Sequence, residues 1–185
     1  MVAAPPATGS TLVGHVQALW RYPVKSMLGE RLERLEVNER GVVGDRAYAL
    51  WDGEARRVAS AKNPRRWGAL LGYSAHYLAE PRAGQPLPPV AGRDFQNVTK
   101  ELVLPEGTFF DACPIHAIST STLATLQRLE PDHDFAVERF RPNLLIQPIE
   151  GLEGFAEEAW VGGQLVIGDA LRLRVDGGCP RCVIT

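Results

Sequence analysis

The amino-acid sequence predicts a mainly β protein with a few short helices. Three observations predict it. Stretches rich in β-branched and aromatic residues, such as "LVGHVQALWRYPV" from Leu12, recur between turn signals. One segment, "TSTLATLQRLE", sets Leu123, Leu126 and Leu129 three apart and reads as an amphipathic helix. Finally, "VIGDALRLRV" reads as a hairpin turning near Gly168-Asp169. Without any visible repeat, the expected architecture is α+β in detail, with two interleaved barrel-like sheets.

The elements follow in order. Leu12 to Val24 is the first strand, and Leu12 to Val16 roughly alternate. "RLERLEV" fits a helix by period, but Gly29 before it and "NERG" after it make a strand from Arg31 to Val37 equally acceptable. "GDRAYALWD" is a strand closed by Asp52-Gly53, and Val58 to Ala61 return as its partner. Asn63 as cap and Pro64 at the first helical position predict a short helix over 64–71. "YSAHYLA" resumes as a strand, and residues 81–94, with four prolines and two glycines, form a loop. "IHAIS" leads as a strand into the amphipathic helix, and "RPNLLIQP", "QLVIGDA" and "LRLRVD" are strands. The chain divides into a leader (1–10, expected to be disordered), a first domain (11–114) and a second (115–185).

Charge bounds the partners. Against 20 basic residues stand 22 acidic ones, a net charge of −2, so nothing advertises nucleic acid or a membrane surface. No stretch of about 18 apolar residues occurs, which excludes a spanning helix. "MVAAPPATGS" lacks the charge and apolar run of a targeting segment. Three cysteines without a secreted spacing point to a reducing, cytoplasmic setting.

Five clusters bear on chemistry. Cys179 and Cys182 lie two apart, but zinc needs four ligands and no second pair exists. A thioredoxin-like site needs a following helix, and only three residues follow Cys182. A lone thiolate at Cys182, favoured by the charge of Arg181, suits a soft metal centre; a buried structural cysteine is the plainer reading. Lys25 and Ser26 follow Pro23 at a strand end, where an ammonium beside a hydroxyl suits phosphate, or simply solvent. Asp45 and Arg46 open a strand, so alternation sends them to opposite faces and different partners. Ser119 to Thr122 stand at a helix start, where hydroxyls cap and free N–H groups attract anions. Arg139 and Arg141 flank Phe140 on one strand, point the same way with Asn143, and require an anion or an acid such as Glu138 or Glu157 between them.

Together "YPVKSMLG", "GVVGDRAY", "RFRPNLLI", "WVGGQLVIGDALRLRV" and "CPRC", in this order, resemble the MOSC family, named for the molybdenum-cofactor sulfurase carboxy-terminal domain. The pattern is similar to that of the amidoxime-reducing components and their bacterial counterparts. The resemblance implies a MOSC N-terminal β-barrel domain over 11–114 and a MOSC domain over 115–185, the latter shortened at its end relative to the family. It implies the molybdenum cofactor (Mo-molybdopterin), with Lys25, Ser26, Arg46, Ser119, Ser121, Arg141, Asn143 and Arg181 holding phosphate and pterin. Cys182 would be the catalytic thiolate on molybdenum. The implied activity is reduction of small N-hydroxylated substrates (amidoximes, hydroxylamines), with electrons from a separate ferredoxin-, flavodoxin- or cytochrome-type donor, since three cysteines cannot hold a fused cluster of four. A non-catalytic carrier of the cofactor or of persulfide sulfur is the alternative.

Overall fold

A computed structural model describes residues 9–92, 102–103, 109 and 113–179. Among them, strands predominate and helices are short, as the sequence predicts. The first strand, β1 (Gly14–Arg21), ends on buried residues: Ala18, Trp20 and Tyr22 share one face by strand alternation and are all buried. β2 (Glu30–Leu32) pairs antiparallel with β1, Leu19 opposite Leu32. The expected strand from Arg31 to Val37 is broken after Leu32. Its remainder appears as β3 (Val37–Asn38), paired to β4 (Gly41–Val42) across a turn in which Asn38 Oδ1 accepts the Arg40 N–H at 2.8 Å.

β5 (Ala49–Asp52) and β6 (Arg57–Val58) form the hairpin expected from Asp52-Gly53. Asp52 builds the turn itself, Oδ1 accepting the N–H groups of Glu54 and Ala55 at 3.1 and 3.0 Å. The predicted helix at Pro64 is a single turn, α1 (Pro64–Trp67), continued as a 3-10 turn over Gly68–Gly72. Asn63 starts it through its backbone carbonyl, without a side-chain cap. β7 (Ala75–Tyr77) pairs with β8 (Val90–Gly92), so the proline-rich stretch contains a strand at its far end. β9 (Leu102–Val103) adds to β5.

In the second half, β10 (Ala117–Ser119) runs directly into α2 (Thr120–Leu129). The leucine stripe is only partly right. Leu123 and Leu126 pack inward, but Leu129 is exposed at the helix end, and Thr122 and Thr125 are the residues fully buried. A larger correction concerns "RFRPNLLI". Val137–Phe140 is a helical turn, α3, and β11 begins only at Leu144 (Leu144–Pro148). Arg139 and Arg141 therefore do not share a strand face. Pro142 disfavours helical geometry before it, and Arg141 leaves α3 in the left-handed region, φ 52°. After a 3-10 turn at Ala156–Trp160, the hairpin β12 (Gln164–Ile167) and β13 (Leu171–Arg174) turns through Gly168, as expected.

The strands make five small sheets, none closed into a barrel among the described residues. The four-stranded sheet decides the architecture. Its order is β10-β11-β1-β2, so β1 from the first segment lies between β11 and β2. Two apolar cores result. One gathers Val24, Met27, Tyr48, Leu50, Trp67 and Tyr77 from the first half. The other joins Ala18, Trp20 and Tyr22 of the first segment to Ile118, Phe140 and Leu145 of the second. The chain from Tyr22 to Val24 passes from one core to the other.

Candidate anion-binding site

Three stretches meet where β1 ends. The first is Tyr22 to Ser26, the second Gly44 to Arg46, the third Arg141 to Asn143. Backbone hydrogen bonds lace the first two together: Arg46 N–H to Tyr22 O at 2.6 Å, Tyr48 N–H to Pro23 O at 3.0 Å, and Lys25 N–H to Tyr48 O at 2.8 Å. The third is tied to β1 by Trp20 N–H to Asn143 O at 3.0 Å. The cluster thus sits where the two cores adjoin.

Asp45 anchors it. Its carboxylate is wholly buried, accepts the Tyr22 N–H at 2.7 Å, and accepts a short bond from Arg46 Nη1. The expectation that Asp45 and Arg46 face different partners is overturned here. Neither lies in a strand; Arg46 takes a left-handed φ of 48°, which turns its side chain back onto its neighbour. From there Arg46 Nη2 donates to Arg141 O at 2.9 Å, and Nη1 lies 3.5 Å from Asn143 Oδ1. Lys25 Nζ donates to Phe109 O at 3.0 Å, while Phe109 N–H donates to Arg46 O at 2.9 Å. One backbone residue so links lysine to arginine. Ser26 Oγ accepts the Ala61 N–H at 3.0 Å.

Two features set this cluster apart. Among the described residues, four non-glycine residues have positive φ, and three of them are Ser26 (63°), Arg46 (48°) and Arg141 (52°). Each left-handed residue costs about 1–2 kcal/mol, a strain that gathers at functional sites. The second is Tyr22. The Arg141 and Arg46 guanidinium carbons lie 4.6 and 4.8 Å from its ring centroid. Its hydroxyl is buried without a hydrogen-bond partner, at a cost of about 1–3 kcal/mol. Burial pushes the phenol pKa up despite the opposing pull of Arg141 and Arg46, so it stays a donor at neutral pH. Cationic side chains, one buried carboxylate and an unmatched donor fit a phosphate-bearing group.

Asn143 has a different task. Fully buried, it donates Nδ2–H to Trp20 O at 3.2 Å and accepts the His116 N–H at 3.1 Å, clamping β1 against the β10–β11 pair. Ser119 and Ser121 form a second polar group. Ser119 caps α2 by accepting the Thr122 N–H at 3.0 Å, and its hydroxyl lies 2.9 Å from that of Ser121. The anion at this helix start is the protein's own Glu157, bound by Ser119 Oγ at 2.5 Å, Thr122 Oγ1 at 2.7 Å and Ser119 N–H at 3.3 Å. Arg139 donates to Asp134 O on the surface. Cys179 is exposed; Arg181 and Cys182 lie outside the described residues. No group of three or more metal-ligating side chains occurs among the described residues.

Sequence reasoning passed over Tyr22. The signal was present, because alternation along β1 puts it on the buried face with Ala18 and Trp20, and a buried tyrosine hydroxyl needs a partner. A groove of about 450 Å³ lined by residues such as Gln17, Arg31 and Glu33 runs along β1 and β2 and shares no residue with the cluster.

A mainly β chain whose two segments jointly build a strained cationic cluster offers a site whose chemistry fits an anionic ligand. Residues 13–70 match the MOSC N-terminal beta barrel domain, and residues 105–185 match the MOSC domain. The chain belongs to the MOSC family, which is associated with the molybdenum cofactor. Mitochondrial amidoxime reducing component 2 of Rattus norvegicus is 41% identical over 81 residues, a match covering 43% of this chain and 22% of that protein. No solved structure matches.

Proposed function

We propose that this protein binds the molybdenum cofactor and reduces small N-hydroxylated substrates with electrons from a separate donor protein. The observation that carries the reading is the pair of left-handed arginines, Arg46 and Arg141, over the ring of Tyr22 with its unmatched hydroxyl, with Lys25 tied to Arg46 through Phe109. The name of the rat relative, an amidoxime reducing component, supports the substrate class.

In this reading Lys25, Arg46 and Arg141 neutralise the cofactor's phosphate, each charge-assisted contact contributing about 1.5–3 kcal/mol. Asp45 holds Arg46 in its fork geometry, and Asn143 holds the segment bearing Arg141 against β1. Ser26 Oγ, already accepting from Ala61, keeps its own hydrogen to donate. Ser119 and Ser121 stand apart at the start of α2, where Ser119 is engaged by Glu157, and Arg181 lies beside Cys182, the thiolate that would ligate the metal. When bound, the cofactor supplies the two-electron chemistry. With two protons, those electrons turn an N–OH group into N–H and water.

The test is elemental mass spectrometry on protein made in a cofactor-synthesising host, beside Arg46→Gly and Cys182→Ala. Near-stoichiometric molybdenum in the wild type, falling more than tenfold in Arg46→Gly, is the expected result, together with hydroxylamine reduction that Cys182→Ala abolishes. A wild type free of molybdenum sinks the proposal. Metal retained by an inactive wild type would turn it toward a carrier.

A further inference from the structure

Tyr22 is the member of the cluster whose polar chemistry the protein leaves unused. Its backbone is fixed on both sides, N–H to Asp45 and C=O from Arg46 N–H. Its ring cannot swing aside freely. A Cβ on Gly29 would stand 2.7 Å from Tyr22 Cδ1 and 2.1 Å from Arg21 O, so only glycine lets the backbone lie this close to the ring. The guanidinium groups of Arg46 and Arg141 lie over the ring, and the whole residue is 1% exposed. A phenylalanine would fill the same space without stranding a hydroxyl. A fold that holds a donor this rigidly beside two guanidinium groups presents it to an acceptor that arrives from outside.

We infer that the Tyr22 hydroxyl donates a hydrogen bond to a phosphate oxygen of the ligand held by Arg46 and Arg141. The inference deepens the cofactor reading and rests on it for the source of the phosphate. The hydroxyl is buried, so its partner enters with a shift of the covering side chains, of which Arg141 is only half-buried. Tyr22 then senses occupancy directly, which a structural tyrosine would not.

The experiment compares wild type with Tyr22→Phe in the intact 185-residue chain. Three readouts are taken: thermal stability without ligand, affinity for inorganic phosphate by calorimetry, and molybdenum retained after expression in a cofactor-synthesising host. A fourth uses wild type labelled with ¹³C at the tyrosine ζ carbons, the Tyr22 signal being assigned by its loss in Tyr22→Phe. The expected result is a ligand-free Tyr22→Phe at least as stable as wild type, with phosphate affinity and molybdenum retention weakened fivefold or more. The Tyr22 signal in wild type would move on adding phosphate. Equal phosphate affinity and retention in both proteins, with an unmoved signal, overturns the role of Tyr22 while leaving the cofactor reading intact. Phosphate binding weakened by Tyr22→Phe, in protein that never holds molybdenum, upholds the tyrosine contact and assigns the phosphate to another ligand. Wild type that binds neither phosphate nor molybdenum overturns both.

Discussion

Individual side chains carry several jobs that composition alone would not suggest. Asp52 is nearly buried and accepts from Arg66 Nε at 3.0 Å, Trp67 Nε1 at 2.9 Å and two backbone N–H groups. The Arg66 hydrogen bond, aided by Ala55 and Trp67, holds its carboxyl well below the usual carboxylate range. A depressed folded-state pKa stabilises above the unfolded value, about 3.9, and that contribution is lost as pH falls through the folded one. Asp52→Asn should therefore lower the melting temperature at pH 7 and flatten its decline below about pH 4. Thermal scans across pH in both proteins check this; parallel curves would contradict it. Arg21 shows the same economy: 2% exposed, it bonds Glu30 at 2.8 Å and Glu80 at 2.8 and 3.2 Å. Desolvation by burial works against its charge, and the two carboxylates outweigh it.

At the scale of elements, how each helix ends matters more than how long it is. α3 stops on Arg141 in the left-handed region, and this turn sets its guanidinium over Tyr22. Glycine tolerates that backbone and alanine does not, so Arg141→Gly should be more stable than Arg141→Ala by about 1 kcal/mol. Both should lose molybdenum retention alike. Denaturant unfolding separates the two effects, since only the backbone term differs between the variants. α2 begins on Ser119, whose hydroxyl serves Thr122 N–H and Glu157 together. Ser119→Ala should cost about 1–2 kcal/mol through the lost cap. Because that hydroxyl is spent on the protein's own carboxylate, molybdenum retention should fall far less than in Arg46→Gly. Side-by-side unfolding and metal analysis of the two variants decides it.

For the whole molecule, β1 is the shared member. It gives one edge to β2 and the other to β11, and its buried face enters the second core. Two family domains match in sequence, yet the central sheet crosses from one to the other. Separating them would strip β11 of its antiparallel partner and expose a strand edge. The intact chain should accordingly unfold in one cooperative transition, with near- and far-ultraviolet circular dichroism coincident. Two resolved transitions would show that the segments hold themselves independently. The same sharing explains why the cationic cluster lies at the seam: Lys25 and Arg46 come from one segment, Arg141 from the other.

The sequence by itself determined the class of fold, the strands and turns with local causes, and the family. Asp52-Gly53 makes its turn through the aspartate carboxylate, Pro64 opens its helix, and Gly168 turns its hairpin, because each effect acts within a few residues. Lys25, Arg46 and Arg141 were legible as candidates from their motifs. Only the tertiary structure decided that they meet, since Arg46 Nη2 bonds a carbonyl 95 residues away. It alone broke the strand imagined through Arg139 and Arg141, reversed the faces of Asp45 and Arg46, and gave the start of α2 to Glu157. The physical reason is common to all three. A left-handed turn or a buried carboxylate is stabilised by partners distant in sequence, and no local pattern of polarity encodes where those partners come to rest.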